Sequence, residues 1–559
     1  MPRVIETPVQ RKELHPNAVL AIVLTAVFMN LLDVSIVNVA IPSIQLDLKA
    51  SFAEIQLVLA GYQLAFACLL ITGGRLGDIF GRKRLFIVGM SLFTLASLSC
   101  GLAPNATLLI LSRVVQGAAA GLMVPQVLST IQVTIPPKDR GRAFGLFGAT
   151  IGVATILGPL VGGALISLNL FSTDWRMIFL VNIPIGLLSV LAAFRQLPET
   201  KAPDAPSLDI PGALLVTAGL FLVVYPLTEG REKGWPGWLL GMLVVAVPVL
   251  AWFVVLQRRK TRENRSPLVL MTLFSNRSFR VGLIVSLVFF AGIPAFFFTF
   301  GLYLQIGLGY SALHAGLTGF PFAVGTGIAS SRSDQLAKRM GTNVLRLGAG
   351  LLAVGMVINI VVLHHFGTDL KSWDIAPFLL FSGLGLGCFI APLTNLILAG
   401  IKGREAGSAS GVLTTGQQIG GALGVAFVGI VFFGLLTSHA DTAGRDEAGQ
   451  LRTSLITAGL PAATADAAVS RFQHCFVLQT KSPDPTLTPP GCEVPAGTPQ
   501  PVVQAFTRAG DEGRKADFLH AFERTLVYEV GIFLAAALLV SFLPKVDPAS
   551  LDHAAPAVE

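Results

Sequence analysis

Asp33 stands in the stretch FMNLLDVSIVNVAIP, Phe28 to Pro42, inside an apolar run that begins near Ala18 and has no other ionisable residue. A charged carboxylate in hydrocarbon costs several kcal/mol, so it neutralises, pairs or lines a hydrated cavity. At 100° per residue Asn30, Asp33 and Asn38 fall within an arc of about 140°, so one face of this helix looks away from lipid. A partner of matching depth is Arg113. Asp33 lies about eight residues, ~12 Å, from the outer end of the first apolar segment, and Arg113 about six residues, ~9 Å, from the outer end of the fourth. Arg113 shares its face with Gln116, Gly117, Ala120 and Gly121, a strip of mostly small residues along which another helix can approach. Proximity of Arg113 lowers the proton affinity of Asp33 and burial raises it. A conformational change that alters this balance would bind or release a proton; the alternative is a fixed pair that only positions two helices.

The elements that must hold these residues follow from composition. The chain has 559 residues, 53% hydrophobic and 13% charged, against roughly 25% charged for an average soluble domain. Fourteen apolar segments of about 20 residues, long enough to cross a bilayer, are centred from Val27 to Ala535. The even count puts both termini on one side. Basic residues crowd that side, at Arg75, Arg82, Lys83 and Arg84 and again from Arg258 to Arg280, whereas the opposite short loops hold only Lys49, Arg176, Arg231, Lys233 and Lys371. By the positive-inside rule both termini are cytoplasmic, so the net charge of +8 reflects topology and calls for no nucleic acid. The first segment is too long for a signal peptide and no small-residue cleavage site follows it, so it reads as a retained helix.

A repeat organises the segments. At an offset of 266, Gly117, Gly121, Gly141, Gly145, Gly158 and Gly163 meet Gly383, Gly387, Gly407, Gly411, Gly424 and Gly429. Two six-helix halves result, with two helices inserted between them, around a midplane site of transporter type. The expected division is an N-terminus (1–16), a six-helix bundle (17–196), a linker (197–209), two inserted helices (210–257), a basic linker (258–278), helices nine to thirteen (279–436), an extracytoplasmic loop (437–522), helix fourteen (523–544) and a tail (545–559). Charge breaks the repeat: Asp78 faces Lys338 at an offset of 260, and Arg113 faces Leu379 at 266.

Four further features bear on mechanism. The loop GGRLGDIFGRKRL packs Arg75, Asp78 and Arg82 among glycines, a lone acid among cations that can lock one conformation as a cytoplasmic gate. Gly145, Gly148, Gly152, Pro159 and Gly163 fall within about 60° of one another, a stripe suited to close, slidable packing with a local weakness at the proline. Asn30, Asn38, Gln63, Gln126, Gln305, Asn395 and Gln417 are candidate cavity polar residues, each also readable as interhelical glue; Asn182 and Gln418 lie at membrane depth too. His314 is a weaker candidate for protonation, and Glu54, Glu229, Asp374, Glu405 and Glu529 read as interfacial. Cys68, Cys100 and Cys388 read as apolar filler. Cys475 and Cys492 flank SPDPTLTPP in the outer loop, where a disulfide would persist; two free thiols are the alternative.

These motifs, in order, resemble those of the fourteen-helix drug/proton antiporter branch of the major facilitator superfamily. LDVSIVNVAIP (Leu32 to Pro42) is similar to its first-helix signature, GRLGDIFGRKR (Gly74 to Arg84) to the superfamily loop motif, and LILSRVVQGAAAG (Leu109 to Gly121) to the motif with the proton-linked arginine. GVATILGPLVGG (Gly152 to Gly163) is similar to the antiporter motif, including Gly158, Pro159, Gly162 and Gly163, and DWRMIFLVNIPIG (Asp174 to Gly186) to the branch's helix-six entry. The resemblance implies coupling roles for Asp33 and Arg113 and a gate at Asp78 and Arg82. It implies a cell-membrane exporter that uses the proton gradient and no cofactor, and antibiotic efflux. Relatives that export dications often carry acids in the second half, whereas here Gln417 and Gln418 stand there, which favours monocationic, neutral or lipid-like amphipathic substrates. Alternatives are a lipid or envelope-precursor exporter and a non-transporting receptor or scaffold. No Ser/His/Asp, metal-ligand or phosphate-loop constellation appears on one side of the membrane, so no enzyme is expected. The long outer loop would cap the vestibule or meet a partner.

Overall fold

A computed structural model describes residues 16–544 apart from 51, 169–173, 202–206, 231–232, 264, 400, 403–404, 482–488 and 496. The expected N-terminal segment and the tail 545–559 thus lie outside the described residues, apart from Pro16, as do the side chains of Asn38 and Pro159. All regular structure among them is helical. The first half comprises α1 (Pro16–Leu48), α2 (Phe52–Phe80), α3 (Arg82–Gly101), α4 (Ala106–Thr134), α5 (Pro137–Leu168), the single turn α6 (Met177–Leu180) and α7 (Asn182–Gln196). Then come α8 (Ile210–Glu229) and α9 (Gly237–Arg262), paired with each other and resting on α2 and α14. The second half is α10 (Arg277–Leu302), α11 (Ala312–Met340), α12 (Asn343–Phe366), α13 (Ser372–Ala399), α14 (Ala406–Asp446), α15 (Ala448–Thr457), α16 (Ala462–Lys481) and α17 (Gln500–Leu539).

Twelve spans among the described residues are long and apolar enough to cross a membrane, two fewer than the fourteen segments counted in the sequence. The other two, α5 and α11, are helices of 32 and 29 residues that pack against each other between the halves. A helix face that meets protein can be rich in small and polar residues, and the faces these two turn to each other are.

The halves repeat in their contacts. α2 packs on α4 and α5 on α1 in the first, as α11 packs on α13 and α14 on α10 in the second; α7 rests on α3 and α1 as α17 rests on α12 and α10. Two crossed pairs, α2 with α14 and α5 with α11, join them. The stretch 437–522, expected as a loop, is largely helical: α14 runs on to Asp446, and α15, α16 and the start of α17 bury Leu451, Leu455, Ala465, Val502 and Ala509 together. Cys475 and Cys492 are bonded there, their Cα atoms 5.6 Å apart.

Candidate functional site

Asp33 is fully buried in the first half. Its Oδ2 accepts from Arg113 Nη1, and its Oδ1 accepts from Gln116 Nε2 at 2.8 Å and Asn182 Nδ2 at 3.3 Å. Arg113 also donates to Gln116 Oε1 at 2.8 Å and from Nε to the Val58 carbonyl at 3.3 Å. Its guanidinium lies 4.2 Å from the centre of the Tyr62 ring, whose hydroxyl donates to Asn30 Oδ1 at 2.7 Å. Asn182 in turn donates to Ser97 Oγ at 3.1 Å. The network thus links α1, α2, α3, α4 and α7 around one carboxylate. A buried charge is tolerable when paired and hydrogen-bonded, and here both oxygens are satisfied.

At the end of α2, Asp78 accepts from Arg82 Nη2 at 2.6 Å and from the backbone N–H groups of Gly407 and Ser408, each at 3.1 Å. These amides open α14, so a first-half carboxylate caps a second-half helix, where free N–H groups and the helix dipole favour an anion. Gln132 Nε2 adds a tie at the same end, donating to the Leu398 carbonyl at 2.7 Å. Arg75 is buried, with Nε and Nη2 lacking acceptors; the carboxylates acting on its charge are Asp78, Asp209 and Glu405. Ser408 Oγ donates to the Leu268 carbonyl at 3.4 Å, and the Leu268 N–H donates to Asp209 at 3.3 Å. Asp209 also accepts from Lys260 at 2.5 Å, Gln257 at 2.8 Å and the Gly212 N–H at 2.8 Å. Burial pushes its carboxyl up, but the bonds from Lys260, Gln257 and Gly212 outweigh this and hold it below the usual carboxylate range. The inserted helices are therefore pinned to the segment that abuts the gate.

The glycine stripe of α5 has two partners. A side chain at Gly145 would collide with the Ser330 carbonyl and one at Gly152 would come within 3.0 Å of Thr326 Cβ, both on α11, while one at Gly158 would strike Ser35 of α1. Gly163 meets Leu313 only at 3.6 Å; Gly162 is buried. Of the amides, Asn30 joins the Asp33 network, and Gln126 ties α4 to α2 through the Gly73 carbonyl at 2.8 Å. Gln63 and Gln305 are exposed, and Asn395 and Gln417 half-buried. His314 is exposed, stacked on Tyr310. Cys68, Cys100 and Cys388 are free and buried.

The sequence reading puts Gln116 on the face of Arg113 and Asn182 at membrane depth without assigning either to the site, and it does not single out Tyr62. Two acids read as interfacial are buried. Glu229 pairs with Lys233 at 3.2 Å, whereas Glu529 is fully buried and neither of its carboxyl oxygens has a hydrogen-bond partner.

Two six-helix bundles, the first enclosing a buried ion pair, define a multi-pass membrane transporter, not an enzyme. Residues 23–425 match the Major Facilitator Superfamily model, and the chain belongs to that family. It is 39% identical to the probable actinorhodin transporter of Streptomyces coelicolor, over 94% of this chain and 91% of that one. It is 35% identical to the puromycin resistance protein pur8 of Streptomyces alboniger (75% and 82%) and 32% identical to the tetracenomycin C resistance and export protein of Streptomyces glaucescens (77% and 78%). The crystal structure of the human organic anion transporter MFSD10 shares the fold, with a TM-score of 0.53 at 14% identity, over 84% of this chain and 99% of that one.

Proposed function

We propose that the protein is a proton-driven exporter of amphipathic small molecules, hydrophobic or monocationic, exchanging substrate from the cytoplasm or inner leaflet for a proton taken up outside at Asp33. The observation that carries this reading is the sealed Asp33–Arg113 pair: two charges at matching depth, satisfied by one another and by two amides. Rocking the halves would open the pair to water and let Asp33 exchange its proton. The names of the relatives, for actinorhodin, puromycin and tetracenomycin C, support export of antibiotic-like compounds. In this reading α5 and α11 cross the membrane as well, making fourteen spans, both termini are cytoplasmic, and Arg75, Asp78 and Arg82 form the cytoplasmic gate. The glycines of α5 are the sliding surface against α11, and the bonded Cys475 and Cys492 lie outside the cell, where the helical layer can meet a partner.

The test is ethidium movement in proteoliposomes under an imposed pH gradient. Wild type should accumulate the dye with the gradient and Asp33→Asn should not. Equal, gradient-dependent movement in both overturns the assignment of Asp33, and no movement of any amphipathic cation under any gradient favours a receptor.

A further inference from the structure

The second half buries an acid that the Asp33 network does not use. Glu529 lies thirty residues into α17, fully buried, with both carboxyl oxygens unpartnered. Measured from the expected start of the last span at residue 523, it lies about six residues, ~9 Å, below the outer surface, the depth of Arg113. Aromatic clusters lie before and after it along the helix. Four residues on, Phe533 meets Phe289 at 5.6 Å, itself stacked on Phe389 at 3.7 Å. Seven residues before, Phe522 stacks on Tyr303 at 4.9 Å and meets Phe300 at 5.9 Å.

No cation stands by to hold a charge there. Against α17, α10 offers no ionisable group between Arg280 and Leu302, and the Tyr303 hydroxyl that follows is itself unpartnered. α12 offers His365, His364, which pairs with Glu523 at 3.4 Å, and Arg346 near its opposite end. α14 offers none between Glu405 and His439, and α17 itself, over the twelve residues before Glu529, offers the buried Asp517, His520, Glu523, Arg524 and an outward Tyr528. A carboxylate in such surroundings costs far more than the neutral acid.

We propose that Glu529 is a second proton-binding site. In the conformation described here it is the neutral acid; when α10, α12 and α14 part and admit water, its O–H bond breaks, the proton passes to water and a carboxylate remains until it is reprotonated from the other side. This deepens the proton-driven reading and rests on it. The role differs from that of Asp33, whose charge Arg113 compensates.

Infrared difference spectroscopy of the full-length protein at neutral pH tests the site. In an Asp517→Asn background, which removes the other fully buried acid of α17 with an unpartnered carboxyl oxygen, a carbonyl band of a protonated, buried carboxylic acid should appear with Asp33 or with Asp33→Asn and be lost completely on adding Glu529→Gln, a near-isosteric change that should leave thermal stability unchanged. Dicyclohexylcarbodiimide, which attacks protonated buried carboxyls, should label Glu529 and not Asp33. A band that survives Glu529→Gln, or a Glu529 that stays unlabelled, overturns the proposal whatever Asp33 does. Conversely, ethidium movement that keeps its pH-gradient dependence in Asp33→Asn sinks the Asp33 assignment while the Glu529 band persists. The role in coupling requires the gradient dependence to weaken in Glu529→Gln; unaltered dependence removes that role.

Discussion

Gly158 of α5 abuts Ser35 and Ile36 of α1, and 266 residues later Gly424 of α14 abuts Ala291 of α10. Gly117 abuts Tyr62 as Gly383 abuts Phe322, and Gly145 meets Ser330 as Gly411 meets Leu70 and Ile71. The register of close packing is thus common to both halves. What they bury is not. Counting back two residues from Ser35 and Ala291 sets Asp33 against Phe289, and where the first half has Arg113 the second has Leu379. One half centres on a satisfied ion pair, the other on stacked phenylalanines with a lone acid one turn away. In the proposed cycle, glycines at helix crossings would serve a motion common to both halves, whereas a compensated charge is kept where Asp33 would exchange its proton.

The sharpest way to break this contrast is to make the first half like the second. Asp33→Asn should reduce proton-driven transport to the level of empty liposomes. Arg113→Leu copies the second half and strands a buried carboxylate; it should destabilise the protein by about 3–5 kcal/mol, measured by thermal unfolding at neutral pH, with partial recovery on adding Asp33→Phe. No loss in Arg113→Leu would mean that Asp33 is not left as an uncompensated buried charge. The shared register predicts equal effects: Gly158→Ala and Gly424→Ala should each cost about 1–3 kcal/mol through overpacking, and Gly163→Ala much less, since its nearest neighbour stands at 3.6 Å. A large difference between the first two would undo the claimed equivalence.

The smallest effect concerns the inserted pair, which has no counterpart in either half. Because the Asp209 carboxyl lies below the ordinary range in the folded protein, its stabilising contribution is present above the unfolded value near ~3.9 and is lost as pH falls through the folded one. Asp209→Asn should therefore be less stable than wild type at neutral pH and lose less stability on acidification below about pH 4. Parallel pH–stability curves for the two proteins would contradict this.

The first-half site is legible because depth can be counted along helices from their ends, and that count alone brings Asp33 and Arg113 to one level. Its amides are less so, since Asn182 reaches Asp33 only through the way α7 leans on α1. Glu529 reads as interfacial for a related reason. The charges at Glu523 and Arg524 mark the start of an apolar run, yet α17 begins at Gln500, and burial at Glu529 depends on three other helices that no pattern within one segment reveals. α5 and α11, counted among the fourteen apolar segments of the sequence, are not among the twelve long apolar spans, and the faces they turn to each other carry small and polar residues.

α14, at 41 residues, is roughly 62 Å long, so each degree of tilt moves its far tip by about 1 Å. With α17 it carries the layer 437–522 as a stiff lever, at the end away from the Asp78 contact. A fluorophore on α15 would then swing with every rocking step, giving an outside readout of the cycle without touching the pathway.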